Sequence, residues 1–143
     1  MREIKVSREF DYSVDVLWEA ITDPKAIEQW LMPNDFVAEV GHQFTMRTEP
    51  RPGFDGIVAC RVLAIAPPTH MEWEWKGGGQ ETTVTFMCES LAAKRCRLTI
   101  IHRGFRGFRG IMISSILRLG WRSILKRKIP IVLQARSSDG LIA

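Results

Sequence analysis

Residues 70–102 read HMEWEWKGGGQETTVTFMCESLAAKRCRLTIIH. Three runs in this stretch alternate apolar and polar residues, and two breaks, Gly77–Gly79 and Leu91–Lys94, separate them. A period of two sends every second side chain to the same face of a strand. The first run therefore lines one face with Met71, Trp73 and Trp75 and turns Glu72 and Glu74 to the other. The second groups Val84, Phe86 and Cys88. The third groups Cys96, Leu98, Ile100 and His102, with Arg97, Thr99 and Ile101 opposite. Runs joined by such short breaks are consecutive hairpins, which make an antiparallel meander with one dry and one wet face.

Upstream of this meander the same logic adds strands. Residues 54–66, FDGIVACRVLAIA, read as a long strand closed by Pro67-Pro68, with Val58 and Cys60 on the apolar lining. Residues 41–49, GHQFTMRTE, contribute Phe44 and Met46, and the PRPG turn at 50–53 joins the two. DFVAEV at 35–40 reads as a further strand before Gly41. At the N-terminus, Ile4, Val6 and Phe10 alternate with polar residues, so Glu3–Tyr12 is a half-buried strand. Between this strand and the others lie two short helices. Ser13 caps VDVLWEAIT, whose Val14, Leu17, Trp18 and Ile21 fall on one side. Asp23-Pro24 starts the second, over Pro24–Leu31, which buries Ile27, Trp30 and Leu31. The two helices form a V, with Trp18 and Trp30 as its anchors.

Downstream the period changes. From Gly110 to Arg136, Ile113, Ile116, Leu117, Leu119, Trp121, Ile124, Leu125 and Leu133 recur at helical spacing. Such a helix is about 40 Å long at about 1.5 Å per residue. Pro130 must kink it or end its regular part, and residues 137–143 are expected to fray. The expected architecture is α+β: a curved seven-stranded antiparallel sheet wrapped around one long C-terminal helix, in a single domain of 143 residues. One helix does not fill the concave side of so large a sheet, so a cavity is expected beside it. Its lining comprises the inward strand residues together with Ile113, Leu117 and Trp121 from the helix. Trp73 and Trp75 read either as a ligand box or as core.

The connector between the last strand and the helix reads HRGFRGFRG at 102–110. Its glycines allow movement. Phe105 and Phe108 can cover the mouth of the cavity, ringed by Arg103, Arg106 and Arg109; a plain connector is the other reading. Stacking platforms for single-stranded nucleic acid come with a continuous basic groove, and one loop does not make one, so no nucleic-acid partner is expected. His102 ends the inward row. It is the one weak catalytic candidate, as a general base or the orienter of a polar ligand head; a structural, hydrogen-bonded histidine is the alternative. His42 and His70 fall near turns and read as solvated.

Charge is unevenly spread. Residues 94–136 hold twelve Lys or Arg and no Asp or Glu, whereas residues 1–93 hold fifteen acids against eight bases. The basic half could meet an acidic protein partner, or the two halves could interleave and neutralise each other. Cys60, Cys88 and Cys96 contain no C-x-x-C pair and read as buried free thiols; with the histidines scattered, neither metal nor cofactor is expected. The sequence has no G-x-S-x-G, Walker or G-x-G-x-x-G motif. It has no apolar run long enough to span a bilayer and no apolar signal-peptide core, so a cytoplasmic location is expected.

VLWEAITDPKAIEQWLMPNDF, GFDGIVACRVLAIAPPTHMEWEW, RLTIIHRGF and GWRSILKRKIP together resemble the SRPBCC superfamily. They most resemble its branch of Hsp90 ATPase activator homologue-like proteins, over residues 3–134. The superfamily includes the birch-pollen allergen fold and START lipid-transfer domains. The resemblance implies a helix-grip fold and a hydrophobic pocket between sheet and long helix. The expected function is binding of a small hydrophobic or amphipathic ligand there. A co-chaperone-like interaction module and a cyclase- or hydrolase-like enzyme using the same pocket are the alternatives, and a homodimer is compatible with either sheet edge or helix.

Overall fold

Ser13 starts the first helix as its sequence requires: extended at φ −66° and ψ 155°, it accepts the Val16 N–H on its hydroxyl. The computed structural model describes the backbone of residues 2–142 and the side chains of residues 3–137. In chain order the elements are β1 (Arg2–Phe10), α1 (Val14–Thr22), α2 (Pro24–Trp30), β2 (Gln43–Arg47), β3 (Ile57–Ala66), β4 (His70–Gly77), β5 (Gln80–Ala92), β6 (Arg95–Phe105), α3 (Gly107–Ser123), a π-helical turn (Ile124–Lys128) and α4 (Ile129–Ile142). Asp23 closes α1 and opens α2, accepting the Lys25 N–H with Pro24 at the first helical position. The Trp30 indole donates to Ala20 O at 2.9 Å, which fixes the angle of the V.

The sheet is antiparallel throughout, in the order β1-β6-β5-β4-β3-β2. It has six strands rather than the expected seven. The missing one is the 35–40 segment, and its side chains explain why. Asn34 Oδ1 accepts the Phe36 N–H at 3.0 Å, and Asp35 Oδ1 accepts the Thr45 N–H at 2.6 Å. These local bonds compete with a ladder. Of the alternating residues, Phe36 is buried but Val40 is 58% exposed, so pairing would gain little burial. The segment is a loop tied to β2 and, through Gly41 N to Val62 O, to β3.

Pro130 does not end the C-terminal rod: α4 follows the π-turn directly. A π-turn holds one more residue than an α-turn. That extra residue keeps Lys126, Arg127 and Lys128 outside and puts Ile129, Val132 and Leu133 inside, at 0–2% exposure. Pro130 has no N–H for the Lys126 carbonyl four residues back; that carbonyl accepts Arg8 Nη1 from β1 at 3.2 Å. The fraying expected over 137–143 falls almost wholly on residues 138–143, which lie outside the described side chains. Arg136 joins the rod to the V by ion pairs with Asp23 and, at 3.9 Å, Glu19.

Candidate functional site

The curved sheet turns its alternating residues toward the rod, and the expected lining meets there. Phe44, Met46, Val58, Cys60, Trp73, Trp75, Val84, Phe86, Leu98, Ile100 and His102 are all at most 5% exposed, as are Phe105 and Trp121. Ile113 and Leu117 of α3 are partly buried against the same core. Phe108 is not brought in. It is 78% exposed on the outer side of α3, so Phe105 and Phe108 do not close one opening together.

Aromatic rings run the length of the hollow. Phe44 meets Trp73 at 5.1 Å between centroids, Trp73 meets Phe86 at 4.7 Å, Phe86 meets Trp121 at 6.1 Å and Trp121 meets Trp75 at 5.7 Å. The geometries are tilted or edge-on, the arrangements ring quadrupoles favour.

His102 is wholly buried among them and both ring nitrogens are used. The Trp121 Nε1–H can only donate, so Nδ1 accepts it, at 3.1 Å. The ring proton therefore sits on Nε2 and is donated to Thr82 Oγ1 at 2.7 Å. The Thr82 hydroxyl in turn donates a hydrogen bond to the Trp75 carbonyl at 2.9 Å. Burial pushes the imidazole pKa down to about 3. A neutral ring with both nitrogens engaged holds α3 to β5 and β6; no ring nitrogen is left to take a proton from a substrate.

Among the described residues, one buried side-chain polar atom in this hollow has no partner. Trp73 Nε1 is buried and makes no hydrogen bond to the described residues; Phe36, Phe44 and Phe86 pack around its indole ring. By contrast, Trp30 and Trp121 both place their N–H groups. An unmet buried donor costs about 1–3 kcal/mol. Sequence reading singled out Trp73 for its ring; the lone N–H depends on which neighbours surround it and has no sequence signal.

The rod grips this hollow unequally. In α3 the fully buried residues are Gly110, Ser114 and Trp121, whereas the π-turn and α4 bury Ile124, Leu125, Ile129, Val132 and Leu133. The start of α3 is instead pinned by polar contacts. Gln80 Oε1 accepts the Arg106 N–H at 2.8 Å. Arg109 donates to Gly78 O at 2.8 Å and to Gly53 O. Gly110 packs so tightly that an added Cβ would stand 2.9 Å from Gln80 Oε1 and 3.1 Å from the Phe105 carbonyl carbon. Arg106 also borders an open cleft of about 240 Å³ with Gly79, Gln80, Glu81 and Gly104; none of these is an inward residue.

The basic and acidic halves neutralise each other only in part. Arg95 and Arg97 of β6 pair with Glu9 of β1, and Arg97 also with Glu89; these guanidiniums hold the Glu9 carboxyl below its ordinary range. Arg109 and Arg118 bond backbone carbonyls instead. Burial raises the Cys88 thiol to about 12 and the Cys96 thiol to about 11, and also raises that of Cys60. Among the described residues no three His, Cys, Asp or Glu gather to hold a metal, and no helix is long and apolar enough to cross a membrane.

The family model described as "Activator of Hsp90 ATPase homolog 1-like protein" matches residues 11–134. No curated protein sequence matches the chain. Among solved structures, a Mesorhizobium loti protein is 28% identical with a TM-score of 0.83, over 94% of this chain and 98% of that one. An HSP90 activator from Plasmodium falciparum is 17% identical with a TM-score of 0.77, over 94% and 97%. The Aha1 dimer from Colwellia psychrerythraea is 17% identical with a TM-score of 0.70, over 87% and 91%.

Proposed function

The chain belongs to the family of activator of Hsp90 ATPase homolog 1-like proteins, and on that footing we propose that it binds a small, flat, largely apolar molecule carrying a hydrogen-bond acceptor, in the hollow between sheet and C-terminal rod. The observation that carries this is the unpartnered Trp73 Nε1–H. A carbonyl or ether oxygen on the ligand would satisfy it, and Phe36, Phe44 and Phe86 would stack on the ligand's rings.

Aromatic side chains pack against one another along the hollow where an open cavity is expected from the sequence, so the ligand enters by displacing an element. The element is α3, which is held by few buried side chains, while α4 stays gripped. The π-turn between them is the pivot. The bond from Trp121 to His102 is the latch that must part or be carried along.

Fluorescence titration with a fused-ring ketone such as flavone tests the reading. Saturable quenching is expected, with amide exchange in residues 107–123 slowed on binding. Trp73→Phe keeps a ring and removes the donor, and should weaken binding about five- to tenfold, the worth of one neutral hydrogen bond. The reading fails if no fused-ring ketone binds, or if Trp73→Phe binds as tightly as the native protein.

A further inference from the structure

The outer side of α3 carries exposed apolar residues on either side of Ser115, whereas its inner side buries Gly110, Ser114 and Trp121. Phe108, Ile111, Met112, Ile116 and Leu119 fall at i, i+3, i+4, i+8 and i+11, one side of a helix. They are 78%, 47%, 51%, 67% and 67% exposed. Guanidiniums border this stripe. On a 100° wheel, Arg109 and Arg118 stand on its opposite edges, each fixed by carbonyls of the body: Gly78 and Gly53 for Arg109, Glu3 for Arg118. Exposed Arg122, Lys126, Arg127 and Lys128 extend the positive charge along the rod, and no acidic residue occurs from 94 to 136.

We propose that α3 is an in-plane membrane anchor, seating its outer apolar stripe in an anionic lipid surface with its arginines at the level of the headgroups. Apolar side chains on one side with cations at the borders are what such a surface takes. A second copy of the chain fits less well, because pairing two stripes would set the same guanidiniums against each other without a carboxylate between them. A protein partner also needs more room. Twelve helical residues make a narrow ridge about 18 Å long, short of the roughly 800 Å² of accessible surface per side of a stable protein interface. The ridge is convex and has charge all around it, so it offers no groove to enlarge that contact. A lipid surface needs neither a groove nor a minimum footprint.

The test is co-sedimentation of the full chain with phosphatidylcholine vesicles, with and without phosphatidylserine. Binding is expected only with phosphatidylserine and should fall as salt rises. Ile116→Asn with Leu119→Asn changes only exposed side chains and should lower partitioning at least about tenfold, with the circular dichroism melt unchanged. Lys126→Glu with Lys128→Glu should lower it too. Trp73→Phe, which acts in the hollow, should leave it unaltered, so the two readings can fail separately. The proposal is overturned if phosphatidylserine vesicles do not bind at low salt, or if the asparagine pair binds as the native chain does. It is equally overturned if sedimentation velocity shows the stripe consumed by self-association, or if an acidic protein occupies the stripe while vesicles do not.

Discussion

Lowering the pH from 7 to 4 should cost this protein about 3 kcal/mol through His102 alone. In the unfolded chain the imidazole titrates at its model value of 6.5; in the fold, burial holds it at about 3. Below pH 6.5 the unfolded state therefore takes up a proton that the folded state refuses. The stabilising contribution is complete above 6.5 and is lost as pH falls toward 3. At pH 4 the chain lies about 2.5 units below the unfolded value, and at about 1.36 kcal/mol per unit this gives about 3 kcal/mol, a large part of the roughly 5–15 kcal/mol that holds a domain together. The chemistry behind the number is specific. A proton on Nδ1 would face the Trp121 N–H, donor against donor, at a contact now 3.1 Å long. Urea unfolding at pH 7 and pH 4, for the native chain and for His102→Gln, isolates the effect: carboxylates titrate in both, the imidazole in one. The native chain should lose about 3 kcal/mol more than the variant, and nitrogen-15 spectra at pH 5 should show a neutral ring protonated on Nε2. Equal losses in the two proteins, or a ring that titrates near 6.5, would refute the relay from Trp121 through His102 to Thr82.

Four further outcomes can be checked by melting or labelling. Gly120 lies within α3 with nothing within 4 Å of an added Cβ, so Gly120→Ala should stabilise by about 0.5–1 kcal/mol. Gly56, at φ +83°, would place its Cβ 2.3 Å from the Thr48 carbonyl oxygen, so Gly56→Ala should destabilise by more than about 1 kcal/mol. Deleting Arg127 converts the π-turn to an α-turn without changing which residues face inward, and should alter stability by no more than about 1 kcal/mol; a collapse of the fold would contradict the one-residue accounting. Cys60, Cys88 and Cys96 are buried with raised pKa values, so a disulfide exchange reagent should label them only as the protein unfolds.

Strict alternation made the meander from 70 to 102 legible residue by residue, because a strand with one dry face writes its orientation into the sequence. The same rule failed over 35–40, where Asn34 and Asp35 satisfy backbone donors locally. Helical spacing found the rod but not its sides. Ile116 and Leu119 look like core in the sequence and are exposed in the fold, since a helix apolar on both sides carries no single amphipathic phase. Pro130 could not be placed because its effect depends on a π-turn and on Arg8, 122 residues earlier in the chain, reaching the Lys126 carbonyl. The site residues were legible as an inward set. What each does there was not: the tautomer of His102 and the isolation of the Trp73 N–H are set by neighbours on other strands and helices.

The sheet order places β1 at one edge, hydrogen-bonded only to β6, with Val6 opposite Ile100 and Phe10 opposite Cys96. During synthesis, the earliest strand to leave the ribosome has no place to dock until the last strand emerges some ninety residues later. Strands β2 to β5 can zip hairpin by hairpin in the meantime, each contact local. The nascent β1 must wait, greasy side uncovered, and for that interval it is a segment open to a chaperone.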